Sequence, residues 1–286
     1  SNNRNFLDLI KNNNKNNNFI KKSKDLYKES FRKIFASLKL NKKDSSCICF
    51  LITSSKEGEG KSLSLSLLGI TLSEMGYKTL IIDLDFRKPI IHKLFKLDNE
   101  LGFSNILSDE KINWESTIQE ESLNPELKFI SVGTNLKDPT KLLASERYKQ
   151  IINNIKGSDK FDYILINSPP ILGISDTYLI SQCCDKVLFI VTLNYVPRVL
   201  FYESLKNIVS STKSIPGILI NIVDKKTQEN EDLKIKNYYY NYTKLSKPNN
   251  QLTLKNKYLN LILKNQYLKL ILDNKYLNSF IRKIKI

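Results

Sequence analysis

The sequence has no uninterrupted apolar run of about 18 residues, so no segment of it is predicted to span a bilayer. No secretory signal peptide is visible either. The four cysteines lack the CxxC spacing of a zinc site, because Cys47 and Cys49 share one apolar run and Cys183 and Cys184 are adjacent. We therefore expect four reduced thiols in the core of the protein.

Methionine is almost absent. Met75 is the only one, and the sequence begins at Ser1. We expect from this that the natural start lies upstream and that a further segment, such as a membrane anchor, precedes the sequence.

Positive charge is concentrated at the two ends of the chain. The formal net charge is +16 over 286 residues. Residues 1–24 carry six Lys/Arg and one acid, and residues 227–286 carry twelve and four, which leaves only +3 for the residues between them. We interpret residues 1–24, with nine asparagines, as a flexible linker. Basic arms of this kind suit anionic lipid or nucleic acid, although a solvated tail is the simpler interpretation.

Strands and helices alternate through the middle of the chain. Residues 25–40 have the apolar spacing of an amphipathic helix. Apolar runs of strand length follow at 47–53, 79–84, 128–132, 163–166, 186–192 and 217–223, separated by helical stretches such as 141–155 and 198–211. Gly76 stands where a helix C-terminal cap belongs. This pattern predicts an α/β fold, a doubly wound and mostly parallel sheet of about six to eight strands that binds ligands at the carboxyl ends of its strands.

A phosphate-binding loop is predicted at residues 53–62, TSSKEGEGKS, between the first strand and the next helix. Gly58 and Gly60 let backbone N–H groups point at one anion, and Lys61 supplies a positive charge. Ser62 supplies a hydroxyl for magnesium, while Ser55 stands where the GxxxxGK[ST] pattern has glycine. The residues assigned to nucleotide binding are Ser55, Lys56, Glu57, Gly58, Glu59, Gly60, Lys61 and Ser62, with Asn221 at the end of the last strand as a weaker candidate for adenine.

Carboxylates follow the second strand in LIIDLDFRKP. Asp83 and Asp85 would lie beside the phosphate loop, where one can serve a magnesium ion and the other can accept a proton. A helix-capping acid pair is the alternative interpretation. In FDYILINSPP, Asn167 occupies the position where a second metal-side acid is expected. Its amide can bind a metal-bound water but brings no charge, so we expect weaker metal binding and slower turnover.

The order of these motifs resembles the bacterial tyrosine kinases of the polysaccharide co-polymerase group, over residues 26–242. The matching segments are TSSKEGEGKS as Walker A, LIIDLDFRKPIIH as Walker A′, GFSNIL, FDYILINSPP as Walker B, GISD and the tyrosine-rich NYYYNY. The resemblance implies a P-loop NTPase fold related to the Min and partition ATPases, with ATP and Mg²⁺ as cofactors. It implies Lys61 on the phosphates, Ser62 as a direct magnesium ligand, Asp83 as base toward the tyrosine hydroxyl and Asp85 on the metal's water shell.

Further residues match the family without completing its motifs. Glu29 and Arg32 match the start of its EX2RX2R oligomerisation motif, whose last arginine is Phe35 here. His92 matches a motif histidine, to which we assign no chemistry. The family's autophosphorylation cluster is matched by Tyr238, Tyr239, Tyr240 and Tyr242, although a chance aromatic cluster is the alternative.

The predicted organisation is a linker at 1–24, a kinase domain at 25–226, a mobile tail with the tyrosine cluster at 227–248 and a basic tail at 249–286. The last tail contains three similar nine-residue units, KNKYLNLIL, KNQYLKLIL and DNKYLNSFI. Nine residues are two and a half helical turns, so the units do not form one apolar stripe and their fold is not predicted.

We predict an ATP-dependent protein-tyrosine autokinase that regulates synthesis or export of a surface polysaccharide, a biological role that rests on the resemblance alone. Expected partners are further copies of the chain and a membrane-embedded co-polymerase segment, upstream or separate, at the cytoplasmic face of the bacterial inner membrane. An anionic membrane surface is a further candidate, and nucleic acid is not expected. Two alternatives stay open: a nucleotide-binding pseudokinase scaffold, favoured by Asn167, and a Min-like switch ATPase, favoured by Lys56, which stands where those ATPases place a dimer-spanning lysine.

Overall fold

The computed structural model describes residues 28–37, 47–121, 124–134, 138–192, 195–212 and 217–221. The predicted linker at 1–24, the tyrosine cluster within 227–248 and the tail at 249–286 lie outside them. No helix within the described ranges is long and apolar enough to span a membrane.

The described part of the chain contains seven strands and eight α-helices. Helix α1 covers residues 28–37. The other elements are β1 (Ile48–Ser54), α2 (Lys61–Glu74), β2 (Thr79–Asp83), α3 (Ile91–Phe95), α4 (Phe103–Ser108), a 3-10 turn (Trp114–Thr117), β3 (Gln119–Glu121), β4 (Asn124–Ile130), α5 (Pro139–Leu143), α6 (Glu146–Lys156), β5 (Tyr163–Asn167), α7 (Asp176–Ser181), β6 (Lys186–Thr192), α8 (Arg198–Ser211) and β7 (Gly217–Asn221).

The strands form one sheet in the order β3-β4-β2-β5-β1-β6-β7. All neighbours are parallel except β3 and β4. The predicted α/β fold is therefore confirmed. The sequence prediction missed β3, because this three-residue edge strand reads QEE and has no apolar alternation.

The core occupies both faces of the sheet. Every residue of β1, β2 and β5 is buried, as expected where helices cover both faces of a parallel sheet. Consecutive side chains alternate between the two faces. Ile52 thus belongs to the apolar cluster shared with α2, and Leu51 belongs to the cluster shared with α6.

Helix α1 packs its aromatic side onto the sheet. Phe35 is buried, with its ring centroid 5.1 Å from that of Tyr77 and 5.4 Å from that of Tyr163. This burial gives a physical reason for phenylalanine where the family motif has arginine. Glu29 and Arg32 keep about half of their side-chain surface exposed, and Arg32 Nη1 lies 4.0 Å from Glu29 Oε2.

The single helix predicted at 141–155 is wrong, because the structure has two helices there, α5 and α6. Asp138 accepts a hydrogen bond from Lys141 N and starts α5, and Ser145 accepts one from Tyr148 N and starts α6. The second cap interrupts the helical pattern, since a serine that bonds a backbone N–H begins a new helix. The predicted end of the first long helix is confirmed, because Gly76 follows α2 with φ +86°.

The four cysteines are free thiols, as predicted, but only Cys49 lies fully in the core, and the other three are partly exposed. Cys49 lies inside β1, and its Sγ is 3.9 Å from that of Cys184. Burial raises the pKa of Cys47 to about 12, which keeps this thiol protonated and unreactive at neutral pH.

Candidate nucleotide site

The loop from β1 to α2 has the backbone of a phosphate cradle. Gly58 and Gly60 have φ of +90° and +85°, in the left-handed region that side chains disfavour. A Cβ atom on Gly58 would lie 2.4 Å from Tyr195 Oη, and one on Gly60 would lie 2.8 Å from Asn221 Nδ2. The left-handed φ therefore favours glycine at both positions, and a Cβ atom at either would require the Tyr195 or Asn221 side chain to shift. Helix α2 begins at Lys61, so its N-terminal dipole faces this loop.

Glu59 holds the loop against the neighbouring strand. Its carboxylate is buried and accepts hydrogen bonds from Lys56 N at 2.8 Å and from Thr192 N at 3.1 Å. Its carbonyl accepts from Thr192 Oγ1 at 3.1 Å and from Asn221 Nδ2 at 3.3 Å. Burial raises the pKa of Glu59, and these backbone N–H groups oppose the rise. Glu59 and Asn221 thus brace the loop, and the adenine role of Asn221 stays a prediction.

Tyr195 is a site neighbour that the sequence did not reveal. It lies between β6 and α8, where no local pattern marks it. Its hydroxyl donates to Glu57 O at 3.2 Å, and Lys56 Nζ lies 4.1 Å from its ring centroid. Lys56 therefore has a partner within its own chain. Ser55 Oγ is buried and has no hydrogen-bond partner among the residues that the structure describes.

A directed chain of hydrogen bonds links the phosphate loop to the acid pair. Ser62 Oγ donates to Asn167 Oδ1 at 3.1 Å, and Asn167 Nδ2 donates to Asp83 Oδ1 at 2.8 Å. The parallel register produces this contact, since Ile52 of β1 and Asp83 of β2 both align with Asn167 of β5. The three strand ends thus bring the predicted metal-side residues into one cluster.

Asp83 is fully hydrogen-bonded. Besides the Asn167 amide, its Oδ1 accepts from Asp85 N at 3.2 Å, and its Oδ2 accepts from Ile90 N and Ile91 N, each at 3.1 Å. Its side chain has no solvent exposure. Sequence reasoning placed Asp83 at the site but could not show that four N–H donors surround it.

The site combines a buried cation with buried acids. Burial raises the pKa of Asp83 to about 6, and the hydrogen bond from Asn167 opposes the rise. Burial also raises the pKa of Asp85, which Lys61 counteracts. Burial lowers the pKa of Lys61, and the charge of Asp85 opposes that change most strongly. The opposite charges of Lys61 and Asp85 therefore partly offset the effect of burial on each other's pKa, and an anion bound to the loop would stabilise the ammonium form of Lys61.

The segment that follows Asp85, residues 85–90, is held from several sides, and we name it the acid loop. Lys88 N donates to Asp85 Oδ1 at 3.0 Å. Lys88 Nζ forms an ion pair with Glu57, which joins the acid loop to the phosphate loop across the surface. Arg87 forms a two-point ion pair with the buried carboxylate of Asp176.

The residues present fit a magnesium nucleotide. The Ser62 hydroxyl, the Asp85 carboxylate and the Asn167 amide offer the oxygen ligands that Mg²⁺ takes directly or through water. No cluster of three or more His, Cys, Asp or Glu side chains within the described ranges could hold a metal ion. Such an ion would therefore take most of its ligands from phosphate oxygens and water.

The fold and this site define a P-loop NTPase. A family model described as an AAA domain matches residues 47–235. The chain is 30% identical over 217 residues to the tyrosine-protein kinase CpsD of Streptococcus agalactiae, a match that covers 76% of this chain and 90% of the relative. The chain belongs to the family of bacterial tyrosine-protein kinases, which confirms the family expected from the motifs.

Solved structures support the same fold. The kinase domain of the Escherichia coli tyrosine kinase ETK matches with a TM-score of 0.64 and 24% identity, over 69% of this chain and 76% of that one. The MinC:MinD cell division protein complex of Aquifex aeolicus matches with a TM-score of 0.55 and 20% identity, over 64% of this chain and 72% of that one. At these identities the likeness concerns the fold alone.

The structure gathers Lys61, Ser62, Asp83, Asp85 and Asn167 at one edge of the sheet. It does not bring the predicted oligomerisation pair to this edge, because α1 packs on Tyr163 at the opposite end of β5 from Asn167. Tyr238, Tyr239, Tyr240 and Tyr242 lie outside the described residues.

Proposed function

We propose that this chain is an ATP-dependent protein-tyrosine kinase that phosphorylates tyrosines of its own C-terminal region. The observation that carries the proposal is the hydrogen-bond chain from Ser62 through Asn167 to Asp83, beside buried Lys61 at the end of a phosphate loop. Family membership identifies the reaction as transfer of the γ-phosphoryl group of ATP to a tyrosine hydroxyl.

Each part of the site has a role that phosphoryl transfer needs. The N–H groups of the phosphate loop and the Lys61 ammonium hold the phosphates, and Glu59 keeps the loop in shape. A magnesium ion, when bound, supplies the charge neutralisation of the phosphate oxygens. Ser62 would hold it directly, with Asp85 and Asn167 binding its water molecules. Because this reaction depends mainly on positioning and charge, a neutral Asn167 is compatible with slow turnover.

We assign proton acceptance to Asp83. Its pKa of about 6 lies near neutral pH, where a general base works best. In the described structure both of its oxygens are occupied by N–H donors, so the hydroxyl of the acceptor must replace one of them. The acceptor bond forms at phosphorus as the bond to the ADP oxygen breaks, and the tyrosine proton passes to Asp83.

The proposed acceptors are Tyr238, Tyr239, Tyr240 and Tyr242, offered to a neighbouring copy of the chain. A tethered segment reaches a partner's site at high effective concentration, and each phosphate adds roughly −1.5 to −2 charge that can loosen an assembly. We infer Glu29 and Arg32 as assembly contacts. We also infer a membrane-embedded co-polymerase partner at the inner membrane, an anionic lipid surface for the basic tail and a role in surface polysaccharide production.

Asn167 favours one second candidate, a nucleotide-binding scaffold without kinase activity. Its amide leaves the metal side of the site with less negative charge than an acid would provide. The scaffold and the kinase differ in one observable, the formation of phosphotyrosine in the presence of Mg-ATP.

An anti-phosphotyrosine blot of the purified chain incubated with Mg-ATP tests the proposal. We expect signal in the parent and none in Lys61→Met, or in the variant with Tyr238, Tyr239, Tyr240 and Tyr242 changed to phenylalanine. Lys160→Met, which removes a surface ion pair with Glu115 away from the site, is the matched control and should label like the parent. Equal labelling of Lys61→Met would contradict the site assignment. No labelling of the parent, with labelling restored by Asn167→Asp, would establish the scaffold.

A further inference from the structure

A buried carboxylate lies behind the acid loop. Asp176 is the first residue of α7 and its side chain has no solvent exposure. Its Oδ2 accepts from Arg87 Nε at 2.8 Å, and its Oδ1 accepts from Arg87 Nη2 at 3.3 Å and from Thr140 Oγ1 at 2.7 Å. Three segments therefore meet at one charge: the acid loop, the start of α5 and the start of α7.

The contact restricts Arg87 strongly. A buried carboxylate is costly unless it is paired and hydrogen-bonded, and a two-point arginine contact fixes both distance and orientation. The guanidinium of Arg87 therefore has one preferred position, although the side chain is 47% exposed. A guanidinium fixed in this way limits how far the backbone at Arg87 can move.

Arg87 transmits this restraint to Asp85. The Asp85 carboxylate accepts a hydrogen bond from the backbone N–H of Lys88, the residue that follows Arg87, at 3.0 Å. The turn from Asp85 to Lys88 is thus stabilised by the hydrogen bond within it, to Asp85, and by the ion pair of Arg87 with Asp176. A change at Asp176 would release the turn and, with it, the aim of the Asp85 carboxylate.

We propose that Asp176 is a positioning residue that acts through Arg87 to aim Asp85 at the cation of a bound magnesium nucleotide. This inference rests on the proposed function, because it requires Asp85 to serve that cation. Asp176 itself does not touch the nucleotide. Its removal should therefore weaken the contribution of magnesium to binding and spare the contribution of the phosphate loop.

Binding of mant-ADP to the full chain, in excess Mg²⁺ and in EDTA, separates these contributions. The ratio of the two dissociation constants measures the magnesium effect. In Asp176→Asn we expect this ratio to fall roughly tenfold, the usual effect of losing an outer-shell partner of a metal ligand. The dissociation constant in EDTA should stay close to that of the parent, because Lys61 and the loop N–H groups do not depend on Asp176.

Asp185→Asn is the matched control. Its carboxylate also holds a cation and a backbone N–H, Lys156 Nζ at 2.6 Å and Cys49 N at 2.8 Å, but it lies at the start of β6 and away from the strand ends that form the site. It should leave the ratio unchanged. Arg87→Gln should lower the ratio as Asp176→Asn does, and the double variant should lower it no further, because both act through one contact.

The outcomes distinguish the possible failures. A ratio in Asp176→Asn equal to that of the parent, or a loss of affinity of the same size in Mg²⁺ and in EDTA, would show that Asp176 is only a structural brace. No binding of mant-ADP by the parent would overturn the proposed function, and this inference with it. If Asp176→Asn does not fold, Thr140→Val decides the matter, since it removes one of the three hydrogen bonds and keeps the ion pair. We expect it to lower the ratio partially, and no change would contradict the inference.

Discussion

Changing Asn167 to aspartate tests how this site tolerates its neutral amide. The substitution keeps the shape of the side chain and turns the N–H donor that faces Asp83 into an oxygen. In the parent, Asn167 Nδ2 lies 2.8 Å from Asp83 Oδ1, and both side chains are fully buried. The variant therefore places two carboxylates in contact without solvent between them.

Two effects should lower the folding stability of Asn167→Asp. A hydrogen bond to a charged group contributes about 1.5–3 kcal/mol, and it is lost. Two full charges at 2.8 Å would repel by up to about 6 kcal/mol at an effective dielectric constant of about 20, but the pair can avoid this by sharing one proton. We expect a net loss of about 3 kcal/mol in the free energy of unfolding at pH 8, which lowers Tm by roughly 6–12 °C for a domain of this size.

The pH dependence has a definite sign. A like charge in contact raises the folded-state pKa of the pair above its unfolded value. The variant therefore keeps its stability at low pH, where the pair is protonated, and loses stability as the pH rises through the folded-state pKa. The Tm difference from the parent should therefore be smaller at pH 5.5 than at pH 8. A cation between the two carboxylates offsets their repulsion, so Mg-ADP should raise Tm more in the variant than in the parent.

Thermal unfolding by circular dichroism, in EDTA and in Mg-ADP at both pH values, measures these differences. A Tm equal to that of the parent at pH 8 in EDTA would refute the reasoning, because the Asn167 to Asp83 contact would then carry no energy. The same variant should give more phosphotyrosine than the parent at limiting Mg²⁺, since the added acid strengthens metal binding.

Three further predictions concern the parent site. Gly58→Ala should lower both Tm and mant-ADP affinity, because its φ of +90° strains a residue with a side chain and the new Cβ would displace the Tyr195 hydroxyl. Gly76→Ala, with φ +86° and no atom within 4 Å, is the control for backbone strain alone, and equal Tm losses in the two variants would show that displacing Tyr195 has no cost. Glu59→Gln should lower the free energy of unfolding, measured in urea, by about 1–3 kcal/mol, because the new amide N–H₂ would face a backbone N–H donor. An unchanged urea unfolding transition would contradict this prediction. The phosphorylation rate should rise with pH as Asp83 ionises, with an apparent pKa of about 6 or lower, because a bound cation lowers the pKa of Asp83. A rate independent of pH between 5 and 7 would argue against Asp83 as base.

Strand positions and the phosphate loop were predictable from the sequence because their signals are local. Strands buried on both faces read as apolar runs, and strand β6 was predicted with its observed bounds, at 186–192. The loop was predictable because glycine is the residue that tolerates the φ of Gly58 and Gly60. The edge strand β3 and the break between α5 and α6 were not predicted, since pairing to a neighbour and a single serine cap decide them.

The sequence placed Asp83 and Asn167 at strand ends but could not state how they meet. Their contact depends on β5 being inserted between β1 and β2, a matter of sheet order that no local pattern encodes. The consequence is chemical. A carboxylate at position 167 would compete with Asp83 for one proton or one cation, whereas the amide donates to Asp83 and accepts from Ser62, so it holds both side chains in place without metal. Asparagine at position 167 thus weakens the metal site by removing a negative charge, and it orders the same site by hydrogen bonding. The balance between these two effects decides whether this chain transfers phosphate or only binds the nucleotide.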